Sequence, residues 1–179
     1  GKRAGIDCGD PREFTSYEQL YGAFTRQLDY IIDTKIRVSN YIDRMFAKYA
    51  PAPFLSVVIK DCISKGKDYY AGGPRYNTNY IQCTGLGTTT DSLSVLKKHV
   101  FEQQTFSMER ILDAVTNNFE GDEKLRQTLL NKTPFFGNND DAADDIALQV
   151  YADLLTAIDS KPNVRGGVFH LNMLSTTCH

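Results

Sequence analysis

Apolar residues recur at spacings of three and four over most of this chain and alternate in only two short places, which predicts a helix-rich protein with two strands. Residues 1–14 carry Gly1, Gly5, Gly9 and Pro11 without periodicity and read as an extended leading segment. Leu20, Phe24, Leu28, Ile31, Ile32, Ile36, Ile42, Phe46 and Tyr49 then mark a long amphipathic helix. Its start fits a capping box, Thr15-Ser16-Tyr17-Glu18, in which a hydroxyl takes an orphan amide and a carboxylate reaches back. A bend is expected near Ser39-Asn40, and Pro51 and Pro53 end the helix.

The apolar stretch "FLSVVIKDCISKG" has strand-like β-branched content, but Lys60-Asp61 and a closing Gly66 favour helix. Asn79 to Thr84 reads as a buried strand, and Gly85-Leu86-Gly87 turns the chain. Thr90 or Asp91 is expected to cap a helix through Phe101, Ser107 a second one through Phe119, and "DEKLRQTLL" makes a third. "NKTPFFGNNDDAADD" is a loop leading into a helix that ends near Ser160. Val168, His170 and Asn172 then alternate with Phe169, Leu171 and Met173 as a strand does. Two strands make no stable sheet by themselves, so both are expected to pair with strands outside this chain. The sequence opens within a loop and stops at His179 with a strand under way, the pattern of an internal piece of a larger protein.

Composition narrows the functional classes. The chain has 179 residues, 41% of them hydrophobic, with a formal net charge of -2 and Lys and Arg interspersed among Asp and Glu. The cationic surface that tight nucleic-acid binding requires is therefore not expected. No apolar run approaches the ~20 residues of a membrane span, and the leading residues lack the apolar centre of a secretory signal. Cys8, Cys62, Cys83 and Cys178 stand far apart with no CxxC, so reduced thiols are expected rather than disulfides or a metal site.

The stretch "GGPRYN", Gly72 to Asn77, has a physical reading of its own. Two glycines allow positive φ and close backbone approach, a proline fixes the exit, and Arg75, Tyr76 and Asn77 supply donors. Such a loop locks a strand into a barrel or anchors a neighbouring loop by hydrogen bonds, and a tight turn whose polar residues only solvate it is the competing reading. "CTGLGTTTDS" resembles a phosphate cradle at a helix start, but it has one GxG and no Gly-Lys-Ser/Thr, so a capped strand-to-helix turn is the better reading. Asp140, Asp141, Asp144 and Asp145 lack EF-hand spacing and suit the first turn of a helix. His99 is expected on a helix surface, and His170 in a core or pocket. Spacing alone gives no catalytic constellation.

Taken in order, "CGDPREF", "GGPRYN", "YIQCTGLGTTTDSLSVLKKHVFE", "LRQTLLNKTPFFGNNDDAADDIA" and "GGVFHLNMLSTTCH" resemble the glycyl radical enzymes of the pyruvate formate-lyase superfamily, most closely its dehydratase branch. The resemblance implies an α/β fold in which residues 1–179 form a helix-rich internal segment of one ten-stranded barrel domain. That barrel would close around a cysteine loop and a glycyl radical loop supplied by other parts of the protein. It implies a lyase in which a thiyl radical abstracts hydrogen, a glutamate deprotonates and water or another group leaves. The implied substrate is a small hydroxylated molecule, hydroxyproline before glycerol, propanediol or choline. The parent would be cytoplasmic, bacterial, anaerobic and a homodimer, with its glycyl radical installed by a radical S-adenosylmethionine activating enzyme.

None of the four cysteines is followed two residues later by glutamate, so the segment supplies no catalytic residue. The resemblance puts Thr176 and Thr177 near the substrate, where a hydroxyl can contact it. It departs from the family's usual wording at Leu174-Ser175-Thr176, where Leu-Pro-Thr is common, and at Cys83, where glycine is. A second expectation competes with the enzyme reading: a non-catalytic module whose long helix binds a partner.

Overall fold

The computed structural model describes residues 4–174. They form two compact units, residues 4–27 with Gly85–Asp153 and Leu28–Thr84 with residues 154–174. Two helices, α1 (Tyr17–Tyr49) and α7 (Asp141–Ile158), each contribute residues to both units.

In the first unit α1 starts one residue later than the capping box predicts. Ser16 Oγ accepts from the Gln19 N–H at 3.3 Å and Gln19 Oε1 accepts from the Thr15 N–H at 2.8 Å, so Ser16 and Gln19 take the roles expected of Thr15 and Glu18. Helix α4 (Leu86–Val95) also departs from expectation, because Gly85 at φ 82 turns the chain directly into the helix. Thr90 and Asp91 are thereby interior to it rather than caps: Thr90 is buried, and Asp91 Oδ1 accepts from the Phe136 N–H at 2.8 Å.

The chain continues through a π-helical segment, Leu96–Glu102, into α5 (Met108–Thr116), whose Ser107 cap accepts from the Arg110 N–H as expected. Helix α5 stops short of Phe119, since Asn118 and Phe119 take positive φ. Asp122 caps α6 (Glu123–Lys132), and Asp140 receives the Ala142 N–H at the start of α7. Ile111, Ala114, Leu125 and Leu129 form a core against which Val95, Leu96, Val100, Phe106 and Phe119 pack. Each buried leucine or isoleucine there contributes about 1.5–3 kcal/mol.

His99 sits in that packing and not on the surface. It is 2% exposed, beside the Phe106 ring, with Nε2 3.0 Å from Thr133 Oγ1. The Thr133 hydroxyl proton is committed to the Leu129 carbonyl at 2.6 Å, so His99 Nε2 carries the hydrogen of this pair. Nδ1 is left as a buried lone pair with no partner among the described residues. A π-turn carries one more residue than an α-turn, and this one places the first residue of "HVFE" inward against the simple helical wheel.

In the second unit α1 runs through Ser39-Asn40 as continuous helix. The polar pair that suggested a bend is used sideways, Asn40 Oδ1 accepting from the Val164 N–H at 3.1 Å. The stretch after Pro51 makes two short helices, α2 (Pro53–Val58) and α3 (Cys62–Lys65), separated by Asp61 at φ 77. Arg75 of GGPRYN holds Asp61 through Nε and Nη2 at 2.9 and 3.0 Å.

The two strands, β1 (Asn79–Gln82) and β2 (Phe169–Asn172), pair with each other in parallel, from Asn79↔Phe169 to Gln82↔Asn172. This corrects the expectation that both find partners only outside the chain. The long helical connection between them is what a parallel crossover requires.

A buried polar hub fixes where the strands begin. Asn163 Nδ2 donates to the Asn77 carbonyl at 2.5 Å and to Asn79 Oδ1 at 2.7 Å, and its Oδ1 accepts from the N–H groups of Arg165 and Gly167 at 3.0 and 2.8 Å. Both donors and both lone pairs of one amide are thus used. Arg165 Nη2 donates to Asn79 Oδ1 at 2.7 Å, and Asp43 of α1 accepts from Asn79 Nδ2 at 3.0 Å while lying 3.4 Å from Arg165 Nε. Gly167 admits the Asn77 carbonyl where a Cβ would collide, and Gly72, at φ 83, does the same for the Arg165 carbonyl. GGPRYN is therefore an anchor for the segment preceding β2.

Asn163→Ala strands two N–H groups and a carbonyl in this hub and is expected to cost about 3 kcal/mol in denaturant unfolding, whereas Tyr76→Ala at an 82% exposed position changes stability by less than about 0.5 kcal/mol. Equal effects of the two would refute the hub's role. His99 gives a pH signature. Burial, then the nearby Lys98, lowers its pKa below the usual histidine value, so the unfolded chain binds the proton more readily. Stability should fall as pH drops through about 6.5, and comparison with His99→Phe between pH 7 and 5 should show the wild type losing more.

Candidate functional site

The parallel pair has two unlike faces. Ile81 and Phe169 lie on the packed one, at 5% and 1% exposure. Tyr80 and Gln82 on β1 and His170 and Asn172 on β2 share the other, as their registers Tyr80↔His170 and Gln82↔Asn172 require. That face is polar and aromatic, with Tyr80 exposed and its ring centroid 6.0 Å from the His170 ring.

His170 is oriented from behind. Its Nδ1 lies 2.7 Å from Asp159 Oδ1, and the Ser160 hydroxyl donates to the other oxygen of the same carboxylate at 3.1 Å. The His170 hydrogen bond is the main reason the Asp159 carboxyl titrates below its ordinary range. Asp159 was not legible as a partner, because the two residues are brought together by the turn that pairs Pro162 with Val168 and returns the Phe169 N–H to the Lys161 carbonyl. Periodicity of either element alone gives no hint of it.

At the carboxyl ends of the strands the ladder continues past the regular pairing. The Cys83 N–H donates to the Asn172 carbonyl at 2.9 Å and Gln82 Nε2 to the Leu174 carbonyl at 2.8 Å. In open and closed α/β sheets this end is where ligands are held. Thr176 and Thr177, the residues expected to touch substrate, lie just beyond in sequence and outside the described residues.

Cys8, Cys62 and Cys83 are free thiols, and Cys178 lies outside the described residues. Burial raises the Cys83 pKa and keeps its thiol protonated, and Cys62 is buried behind the backbone of Gly73. Among the described residues no group of three or more His, Cys, Asp or Glu side chains is disposed to hold a metal ion, the Asp140–Asp145 run included. No described helix is long and apolar enough to cross a membrane.

The family model described as pyruvate formate lyase-like matches residues 1–179. The chain is 47% identical over 178 residues to trans-4-hydroxy-L-proline dehydratase of Clostridioides difficile, covering 99% of this chain and 23% of that protein. It superposes with a TM-score of 0.92, at 47% identity, on the crystal structure of hydroxyproline dehydratase from Clostridioides difficile with trans-4-hydroxy-L-proline bound, covering 98% of this chain and 22% of the other. The glycerol-bound B12-independent glycerol dehydratase of Clostridium butyricum gives a TM-score of 0.89 at 31% identity, over 95% of this chain and 22% of that one. The chain thus spans less than a quarter of the length of these relatives. With its whole length matched by the family model, the chain belongs to the pyruvate formate lyase-like family.

Proposed function

We propose that these 179 residues are a segment of a larger glycyl radical lyase that removes water from a small hydroxylated substrate, hydroxyproline foremost, and that the segment is inactive alone. The observation that carries the reading is the 47% identity to a hydroxyproline dehydratase, sustained over 99% of the chain. Glycerol, propanediol and choline are the alternative substrates. In this reading residues 1–179 belong to one ten-stranded barrel domain, with the parallel β1–β2 pair as two adjacent staves. A parallel pair with one packed and one uncovered polar face suits a wall that closes around an interior.

The residues present do not fit the radical site itself. Cys8, Cys62 and Cys83 are followed two residues later by Asp10, Ser64 and Gly85, so none of the three has the spacing of a cysteine paired with a glutamate. The radical glycine and its reacting cysteine therefore belong to the rest of the protein, and when installed by an activating enzyme the radical supplies the one-electron chemistry. What this segment contributes is position and exclusion of water. Thr176 and Thr177 follow β2 at its carboxyl end, and one hydroxyl there hydrogen-bonds the substrate. The whole protein is cytoplasmic and dimeric in this reading.

The full-length protein, activated anaerobically, is expected to convert trans-4-hydroxy-L-proline with loss of water, and the isolated 179 residues to do nothing. Thr176→Val or Thr177→Val, whichever removes the contact, should lower kcat/KM about 10- to 100-fold and leave the glycyl radical signal in electron paramagnetic resonance unchanged. A radical without turnover of any of the four substrates would overturn the substrate class; loss of the radical in both variants would overturn the role of the threonines.

A further inference from the structure

The β1–β2 ladder ends on a rung made by a side chain. In a parallel pair the N–H groups of alternate residues on one strand meet carbonyls of the other, advancing two residues on both strands at each step. Here the Asn79 N–H donates to the Val168 carbonyl at 3.0 Å and the Cys83 N–H to the Asn172 carbonyl at 2.9 Å. The next step of that series would join the Gly85 N–H to the Leu174 carbonyl. Gly85, however, is already in the left-handed conformation, φ 82, that opens α4, so the backbone after β1 has left the ladder. The donor comes instead from Gln82, whose Nε2 reaches the Leu174 carbonyl at 2.8 Å.

Stability is a weak reason for this bond. Gln82 is exposed, and an exposed neutral hydrogen bond is replaced by one to water when it is lost. Its effect is geometric. The hold of β1 on the other strand is carried from Asn172 to Leu174, past the point where backbone pairing stops. Thr176 follows Leu174 by two residues and Thr177 by three. At about 3.3 Å per residue, the span from the last anchor to Thr176 falls from at most about 13 Å to about 7 Å. Positioning of a substrate contact is sensitive to displacements far smaller than that difference.

We propose that Gln82 is a positioning residue for the substrate of the intact enzyme. Its amide holds the Leu174 carbonyl, fixes the course of the chain as it leaves β2, and thereby sets how well the threonine that follows meets the substrate. The inference rests on the reading of Thr176 or Thr177 as the substrate contact. Only a donor at the end of the side chain serves, since a carboxylate there would set lone pairs against the carbonyl.

The test is substrate binding to the full-length, unactivated protein, measured by calorimetry with trans-4-hydroxy-L-proline, and then kcat/KM after activation. Gln82→Met keeps the length and removes the donor; Gln82→Glu keeps the shape and replaces the donor by an acceptor. Both are expected to raise Kd and lower kcat/KM about 10-fold, with the melting temperature and the glycyl radical signal as in the wild type. In the background of whichever threonine-to-valine variant loses the contact, Gln82→Met is expected to change Kd by less than about 2-fold, because no contact is left to misplace. A wild-type Kd in both Gln82 variants, a loss that tracks a lowered melting temperature, or losses that add in full to that of the threonine variant would each overturn the proposal and leave the functional reading standing. Wild-type affinity in both threonine variants, or no binding by the wild type, would overturn the reading beneath it and the role of Gln82 together.

Discussion

The arrangement of the second unit depends on one buried amide. Asn163 satisfies all four hydrogen-bonding positions of its side chain on three backbone groups and one side chain, and no other residue type of that size does so. Aspartate would offer two acceptors facing a carbonyl, and leucine would leave the N–H groups of Arg165 and Gly167 without partners. With the amide in place, the carbonyl of Asn77 and the side chain of Asn79 are fixed relative to Val168, and the parallel register follows. Asp43 and Asn40, a turn apart on α1, tie the same loop to the helix, so helix, GGPRYN and the PNVRGG turn are positioned by a common set of bonds.

This hub lies at the amino ends of the strands, whereas the residues read as contacting substrate follow their carboxyl ends. The division is the usual one for α/β architectures, in which one end secures the scaffold and the other carries chemistry. It gives "GGPRYN", the most unusual wording in the chain, a structural use: Arg75 holds the strained Asp61, and Asn77 lends its carbonyl to Asn163.

Much of this was legible from the sequence, and what was not has identifiable causes. Helices with strong three-four periodicity and a hydroxyl or carboxylate cap, such as α5 after Ser107 and α6 after Asp122, begin where expected, since cap and stripe are both local, although α5 ends before Phe119. The start of α4 was misplaced because Thr90 and Asp91 are good caps, and only the left-handed Gly85 makes an earlier one unnecessary. His99 was assigned to the wrong surface because a wheel with 3.6 residues per turn fails inside a π-helical segment. Asp159 behind His170, and β1 beside β2, are non-local and have no signature at short range. The family was legible from motif order, and the match over residues 1–179 bears it out. Thr176 and Thr177 were read from resemblance, and the described residues end at Leu174.

The parallel pairing also has a consequence in time. Asn79 and Phe169 are about 90 residues apart, so the ribosome must add that much chain before β1 meets its neighbour. At about 5–20 residues per second this takes roughly 5–20 seconds, far longer than helix or loop formation. Throughout that interval the edge of β1 that β2 will cover is unpaired, and Asn163, which sets the register, has not yet been synthesised. The long crossover that a parallel pair requires thus leaves one edge of β1 open for most of the time in which this segment is made.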